Sequence, residues 1–447
     1  MTKQFFTCVL SLELLLALVI SAAQPRETAS APLIPPPETT GILGAGVEEV
    51  SNTGSPISSW FPISPIDSSE LNEGNSAVAY NSQWQEYLVV WFKNETSGES
   101  YILGQFVNNH GTLIGNRFLI PGWVGSCGFP DVAYNPARNE YLVVFSYSTP
   151  SAYAISGLLL NAYGTAIGTQ LTFASHATNQ YREPAVVYAT NSSEYLVVWQ
   201  KNQGTENKGI EARTLSGDGA TMGSILQVTG MLASVAPSVP DVACTPTLEG
   251  CLVVWQQWYD ASYPDHDIKG QRIHMSGGAH LEDSTFGIHL TTNDEVAPAI
   301  AAITRITGIG QYLVVCAYKW SGTWTTVGQF LTDAGALDLW LPIGTSNGGF
   351  PAVAGNETAQ EYLVAWTIEI SSGPDLRMRT VSSVGDLGTT SQASPPRSGS
   401  SPLAPAIANG YLGDYLVTCH DYYQSGYPVD ILGFLWGRRV FLPLLVQ

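Results

Sequence analysis

Charge is what this sequence has least of. Asp, Glu, Lys and Arg make up 12 % of the 447 residues, about half the usual share. Only 18 of them are Lys or Arg, against 37 Asp or Glu, for a net charge of −19. A phosphate backbone needs clustered cations, and none occur, so a nucleic-acid partner is excluded. Long apolar runs are missing after the first two dozen residues, which leaves no later stretch able to cross a bilayer as a helix. Signatures of catalysis are missing too: there is no His-Glu-x-x-His and no sialidase-type Asp-box. An acidic, lightly charged surface fits work in extracellular fluid or at a cell surface.

What is present is repetition. Glu86-Tyr87-Leu88-Val89-Val90-Trp91 returns around Tyr141, Tyr195, Cys251, Tyr312, Tyr362 and Tyr415, at steps of 54, 54, 56, 61, 50 and 53 residues. Such a period marks an array of supersecondary units, none able to bury its apolar faces alone. Each unit reads as four short strands. The first opens with Pro in most copies, as in Pro130-Asp131-Val132-Ala133-Tyr134. The second is the Tyr-Leu-Val-Val strand, apolar at almost every position, so both its faces must be covered. The third is clearest at Ile268 to Ile273, and a glycine turn such as Asn109-His110-Gly111 leads to the fourth. Seven such units predict an all-β fold, a seven-bladed β-propeller of four-stranded antiparallel blades.

Residues 1–23 read as a secretory signal: Lys3, an apolar run from Phe5 to Ile20, then Ser21-Ala22-Ala23. Glu13 interrupts that run, and an uncleaved membrane anchor is the alternative. Residues 24–55 form a Pro/Thr-rich linker, 56–437 the propeller, and 438–447 an apolar tail. Trp60-Phe61-Pro62-Ile63 resembles the fourth strand Leu339-Trp340-Leu341-Pro342-Ile343, so the N-terminal piece is expected to complete blade seven. The competing latch is Val440 to Val446.

The pairing of Glu-Tyr-Leu-Val-Val-Trp with Asp267-Ile268-Lys269-Gly270-Gln271-Arg272 resembles the repeats of secreted bacterial β-propeller proteins, and Phe441-Leu442-Pro443-Leu444-Leu445-Val446 is similar to tails on exported Chloroflexota-type proteins. The resemblance covers about residues 57–436 and implies the fold. That family has no established common activity, so it carries over no catalytic residue.

Loops after the second strand vary in length and content, and loops on a rigid scaffold are where binding resides. In blade four the loop holds Trp258, Tyr259, Asp260 and Tyr263; in blade five, Trp320 and Trp324; in blade seven, His420, Asp421, Tyr422 and Tyr423. Trp123 joins the same face from the loop before a first strand. Aromatic faces beside carboxylates suit a sugar ring or a peptide, and the competing reading is loop-to-loop packing. Two functions are therefore weighed. The first is a secreted, non-catalytic binding module for a carbohydrate or an extracellular protein. The second is a glycan hydrolase using Asp260, Asp265 or Asp421. Asp265 and Asp267 alone fall short of the roughly six to eight oxygens of a calcium site, so no metal and no cofactor is expected.

Cysteine gives a sharper expectation. Tyr80/Tyr87, Tyr134/Tyr141 and Tyr188/Tyr195 flank the first hairpin of three blades; Cys244 and Cys251 hold those two positions in blade four. Cross-strand neighbours in an exported chain predict a disulfide. Cys316 and Cys419 replace the strand-two Trp as small core residues, and Cys127 is expected in a loop.

Overall fold

The computed structural model describes residues 55–437 except 57, 65–72, 96, 122–124, 204–206, 231–235, 247–249, 259–264, 277, 283, 290, 336, 345–346, 371–372, 394–399, 411–412 and 424–428. The expected signal, nearly all of the linker and the apolar tail lie outside these residues, as do Trp123, Tyr259, Asp260, Tyr263 and the side chains of Tyr422 and Tyr423.

The chain folds as seven antiparallel sheets, six taking their strands in sequence order and the seventh completed by the N-terminal segment. Blade one is Glu73–Asn81, Glu86–Asn94, Ser100–Asn108 and Leu113–Leu119. First strands of successive blades touch in a closed circuit, the last (Ser400–Asn409) against Glu73–Asn81. They therefore line the axis.

Dryness of the second strand drives the arrangement. Tyr87, Leu88, Val89, Val90 and Trp91 are all 0 % exposed, and their repeats match them closely. Burying each side chain contributes about 1.5–3 kcal/mol relative to exposure. A sheet has two faces, so each blade must be flanked by two others. The core accordingly divides into clusters shared by neighbouring blades. One joins Leu88 and Val90 to Tyr141 and Val143, and another closes the circle by joining Leu416, Ile431 and Leu435 of blade seven to Tyr87, Val89 and Trp91 of blade one.

The N-terminal latch is present. Ser55–Pro56 pairs with Trp436 and Gly437, and Phe61–Pro62 with Leu432 and Gly433, in the fourth position of blade seven. Ser58 Oγ and Ser64 Oγ each accept a backbone N–H, from Leu435 and Ile431, at 2.8 Å.

First strands start earlier than their prolines. The strand carrying Pro130 runs Ser126–Asn135, with a register shift between Gly128 and Asp131. Every blade repeats this bulge, and each bulge holds a non-glycine residue at positive φ: Asn75, Phe129, Glu183, Val239, Ala297, Phe350 and Ala404. The proline falls where the ladder is already interrupted, so its missing N–H costs no pairing. Two first strands also clip their neighbours. Asp131 accepts N–H groups from Val132 (2.8 Å) and from Val186 of the next blade (2.7 Å). Asp241 does the same with Val242 (2.8 Å) and Ile300 (2.9 Å).

Cys244 and Cys251 form the disulfide, with Cα atoms 4.0 Å apart, where other blades hold tyrosine pairs with centroids 4.9–5.2 Å apart. Cys316 and Cys419 are buried in the core. Cys127 belongs to a strand rather than a loop: it is buried among the blade one–two cluster, and burial pushes its thiol up to about 12. Asp267 and Asp375 lie inside the third strands of blades four and six. Asp375 caps a backbone N–H, that of Leu376, at 2.9 Å.

Two predictions follow from these contacts. Replacing both disulfide cysteines by Ala is expected to lower stability by about 2–3 kcal/mol, and placing Tyr at both positions to recover about 0.5–1.5 kcal/mol. Chemical denaturation measures both, and an unchanged midpoint in the Ala variant contradicts the first. The second concerns pH. Desolvation pushes Asp131 up to about 7 and Asp241 up to about 6, against the backbone hydrogen bonds that favour the charged form. A raised acid binds its proton more tightly in the fold. Its contribution to stability is thus complete below the unfolded value of 3.8 and is lost as pH climbs through 6 and 7. Stability measured across that window is expected to fall, and Asp131→Asn to flatten the slope; an equal slope in the variant contradicts the assignment.

Candidate functional site

Blade five extends its sheet on the face that carries the loops after second strands. Its second and third strands, Gly310–Trp320 and Thr323–Thr332, run on as a hairpin closed by Ser321-Gly322. Both turn residues have positive φ, 49° and 82°, the requirement of a two-residue turn matched to strand twist. The expected loop is therefore an extension of the sheet itself. Trp320 ends one strand opposite Thr323, and Lys319 faces Trp324.

Against this hairpin lies a cavity of about 450 Å³. One side is the fourth strand, Leu337–Pro342, whose alternation sends Trp340 and Pro342 to the cavity. The other comes from blade four, whose fourth strand ends at His289. Trp340 Nε1 donates to His289 Nε2 at 3.0 Å. The ring planes differ by only 16° with centroids 6.5 Å apart, so the two rings meet edge to edge as one nearly flat platform. Tyr318 stands across His289 at 81°, centroids 5.2 Å apart. Trp320 continues from Tyr318 at 6.0 Å. Trp340 is 43 % and Trp320 64 % exposed, a large apolar area left to solvent.

Behind the platform is a polar support. An indole N–H can only donate, so His289 Nε2 must be the bare nitrogen and Nδ1 must carry the proton. Nδ1 lies 3.2 Å from Glu295 Oε1, and Glu295 is completely buried; Thr291 Oγ1 also donates to that oxygen. Asn293 Nδ2 donates to the Tyr318 hydroxyl at 3.0 Å. Asp294 gathers His266 Nδ1 (3.2 Å) and Lys319 Nζ (3.4 Å), and Lys319 lies 5.4 Å from the centre of the Trp324 ring. Each ring is thereby held before any ligand arrives, which lowers the ordering cost of binding.

Of the residues singled out from sequence, Trp320 lines the cavity, whereas Trp324, between Thr323 and Thr325 on one strand, points to the other face of the hairpin, and Trp258 ends the second strand of blade four outside the lining. Trp258 is half-buried, opposite His266 in the ladder. His420 and Asp421 lie inside the strand Tyr415–Tyr423, both buried, on blade seven. Burial depresses the His420 imidazole to about 4. Asp265 precedes the third strand of blade four and is half-buried. Among the described residues no group of three or more His, Cys, Asp or Glu could hold a metal ion. Sequence reasoning missed Trp340, His289 and Glu295. Alternation in Leu339-Trp340-Leu341 could have pointed to Trp340, whereas nothing local marks His289.

No family model matches the chain, and no curated protein matches it. Solved structures do resemble it. A protein of unknown function from Dyadobacter fermentans aligns at 11 % identity over 70 % of this chain and 95 % of its own, with a TM-score of 0.51. An α-L-arabinanase of Penicillium chrysogenum, complexed with arabinobiose, aligns at 11 % identity over 85 % and 97 % (TM-score 0.49). An α-L-arabinofuranosidase of Fusarium graminearum aligns at 11 % over 86 % and 98 % (TM-score 0.47). At 11 % identity the likeness to the Dyadobacter protein bears on the fold alone, the β-propeller already described.

The platform carries its own prediction. The Trp340 indole N–H resonance, assigned with Trp340→Phe, is expected to move in His289→Ala, which removes its acceptor, and to stay close to its place in His289→Gln, whose amide oxygen still accepts. No movement in His289→Ala contradicts the bond.

Proposed function

We propose that the protein is an extracellular, non-catalytic carbohydrate-binding propeller, with the blade-five cavity as its binding site. The observation that supports this best is the rigid Trp340–His289 platform with Tyr318 and Trp320 rising beside it. A sugar ring has an apolar C–H face and a hydroxyl rim. It gains from a flat aromatic floor and from polar groups at the edge. Thr323 and Thr325 supply such an edge: alternate residues of one strand, they point the same way into the cavity. Thr325 Oγ1 already donates to Gly344 O at 3.0 Å, which leaves its oxygen to accept from a ligand hydroxyl. The disulfide accords with an oxidising, exported setting.

Glycan hydrolysis is the second reading, and one observation favours it. Asp131 and Asp241 lie on axis-lining strands, desolvation by burial raises both, with Asp241 adding a smaller push on Asp131, and a carboxyl poised near neutrality is what an acid catalyst needs. Yet both oxygens of each carboxyl accept backbone N–H groups, which assigns them to holding blades together.

A glycan array run beside a hydrolysis screen separates the two. Binding without turnover is expected, weakened about tenfold by Trp340→Ala and by Trp320→Ala. Turnover abolished by Asp131→Asn or Asp241→Asn would establish the hydrolase instead.

A further inference from the structure

Comparing blades at one position narrows the ligand. The outer strand of each blade ends in a buried apolar plug: Ile63, Ile120, Phe173, Val228, Ile288, Ile343 and Ala393, all between 0 % and 4 % exposed. The residue after the plug is small or a proline in five blades, Ser64, Pro121, Ala174, Thr229 and Gly344, but in blade four it is His289, opposite Ile268 in the ladder just as Ala174 is opposite Ile155. An imidazole at that position brings hydrogen-bonding capacity with it. Trp340 meets it on Nε2, and Glu295 Oε1 lies 3.2 Å from Nδ1.

Trp340 is equally particular to its blade. The corresponding residues are Arg117, Gln170, Ile225, Thr285 and Thr390 in five blades, judged by the residue preceding each Leu341 equivalent in the ladder. The latch does offer Trp60 to blade seven, but that ring packs on Phe434 with centroids 4.5 Å apart. Platform and support thus coincide at one blade border among the described residues. The scaffold repeats seven times, but the site occurs once.

Charge completes the picture. Among the described residues, no Lys, Arg, Asp or Glu lines the cavity. Lys319 is spent on Asp294, and Glu295 is sealed behind His289. A uronate, sialate or sulfate would need a cationic partner there, and it would also approach a chain of net charge −19. An ammonium-bearing sugar would find no accessible carboxylate in the lining.

Resting on the carbohydrate reading above, we infer that the site takes one uncharged sugar unit per chain. The unit stacks its C–H face on Trp340 and His289 and offers hydroxyls to Thr323 and Thr325. His289 acts as the positioning residue that keeps the indole flat.

Isothermal titration calorimetry with paired oligosaccharides tests this, each neutral sugar beside a counterpart carrying one uronate or sialate on the same backbone. The neutral member is expected to bind one per chain, and the acidic member at least about tenfold more weakly. His289→Ala gives blade four the residue that blade two holds at this position, Ala174, so it is expected to keep the fold's melting temperature while weakening neutral-sugar binding about tenfold. His289→Gln, which still accepts from Trp340, is expected to recover most of that loss. Equal or tighter binding of the acidic member, a stoichiometry near seven, or full affinity in His289→Ala overturns the inference and leaves the carbohydrate reading standing. Failure of every sugar to bind overturns that reading as well.

Discussion

A strand with no wet face cannot stand at the surface of anything. Tyr-Leu-Val-Val-Trp and its repeats impose that condition on every blade, and the rest of the architecture is a response to it. A stack of sheets would leave two outer faces uncovered, so the chain returns on itself, and the cluster joining Leu416 and Leu435 to Val89 and Trp91 is the closing contact. Smaller devices fix the spacing between blades. The tyrosine that opens a second strand reaches back to the preceding blade: Tyr362 OH donates to Gln311 O at 3.0 Å, and Tyr312 OH to Gly250 O at 3.5 Å. Asp131 and Asp241 add charged clips near the axis. Because such clips are enclosed, they oppose their own ionisation, which ties the ring's cohesion to pH.

The sequence was most legible where one physical requirement repeats. Periodicity of Tyr87, Tyr141 and Tyr195 gave blade number, and continuous apolarity gave the double-sided packing. The swap of Tyr/Tyr for Cys244/Cys251 revealed a cross-strand pair. Similarity of Trp60-Phe61-Pro62-Ile63 to Leu339–Ile343 revealed the latch. Strand starts were less legible. A proline normally begins a strand, and only coordinates show the bulge that lets Pro130 sit in the middle of one, with Phe129 held at φ 51° before it.

The site was legible only in part, for a related reason. Trp320 announces itself because a hairpin tip needs no tryptophan. His289 and Glu295 do not, since their meaning depends on a neighbour from another blade. Glu295 belongs to the first strand of blade five, His289 to the exit of blade four, and Trp340 arrives some 51 residues after the histidine it bonds. Conversely, His420 and Asp421 look like surface chemistry in sequence, but continued strand pairing draws them into blade seven, where His420↔Ile431 and Asp421↔Asp430 are ladder partners. Variation in length after the second strand thus has two outcomes: a longer hairpin that builds a wall, as in blade five, or a loop.

This division of labour has a physical logic. Interfaces between blades must be interchangeable in kind, so their residues vary little. A binding site needs a local exception, and the exception here sets an imidazole just after the plug at one interface while leaving the second strands untouched. The cohesion of the whole is tested most directly by native-state hydrogen exchange on the second-strand amides. If each blade is stable only between two others, amides such as those of Val89, Val197, Val314 and Val417 will exchange with one common opening free energy, equal to that of global unfolding. A blade whose second strand opens alone at distinctly lower free energy would contradict the account.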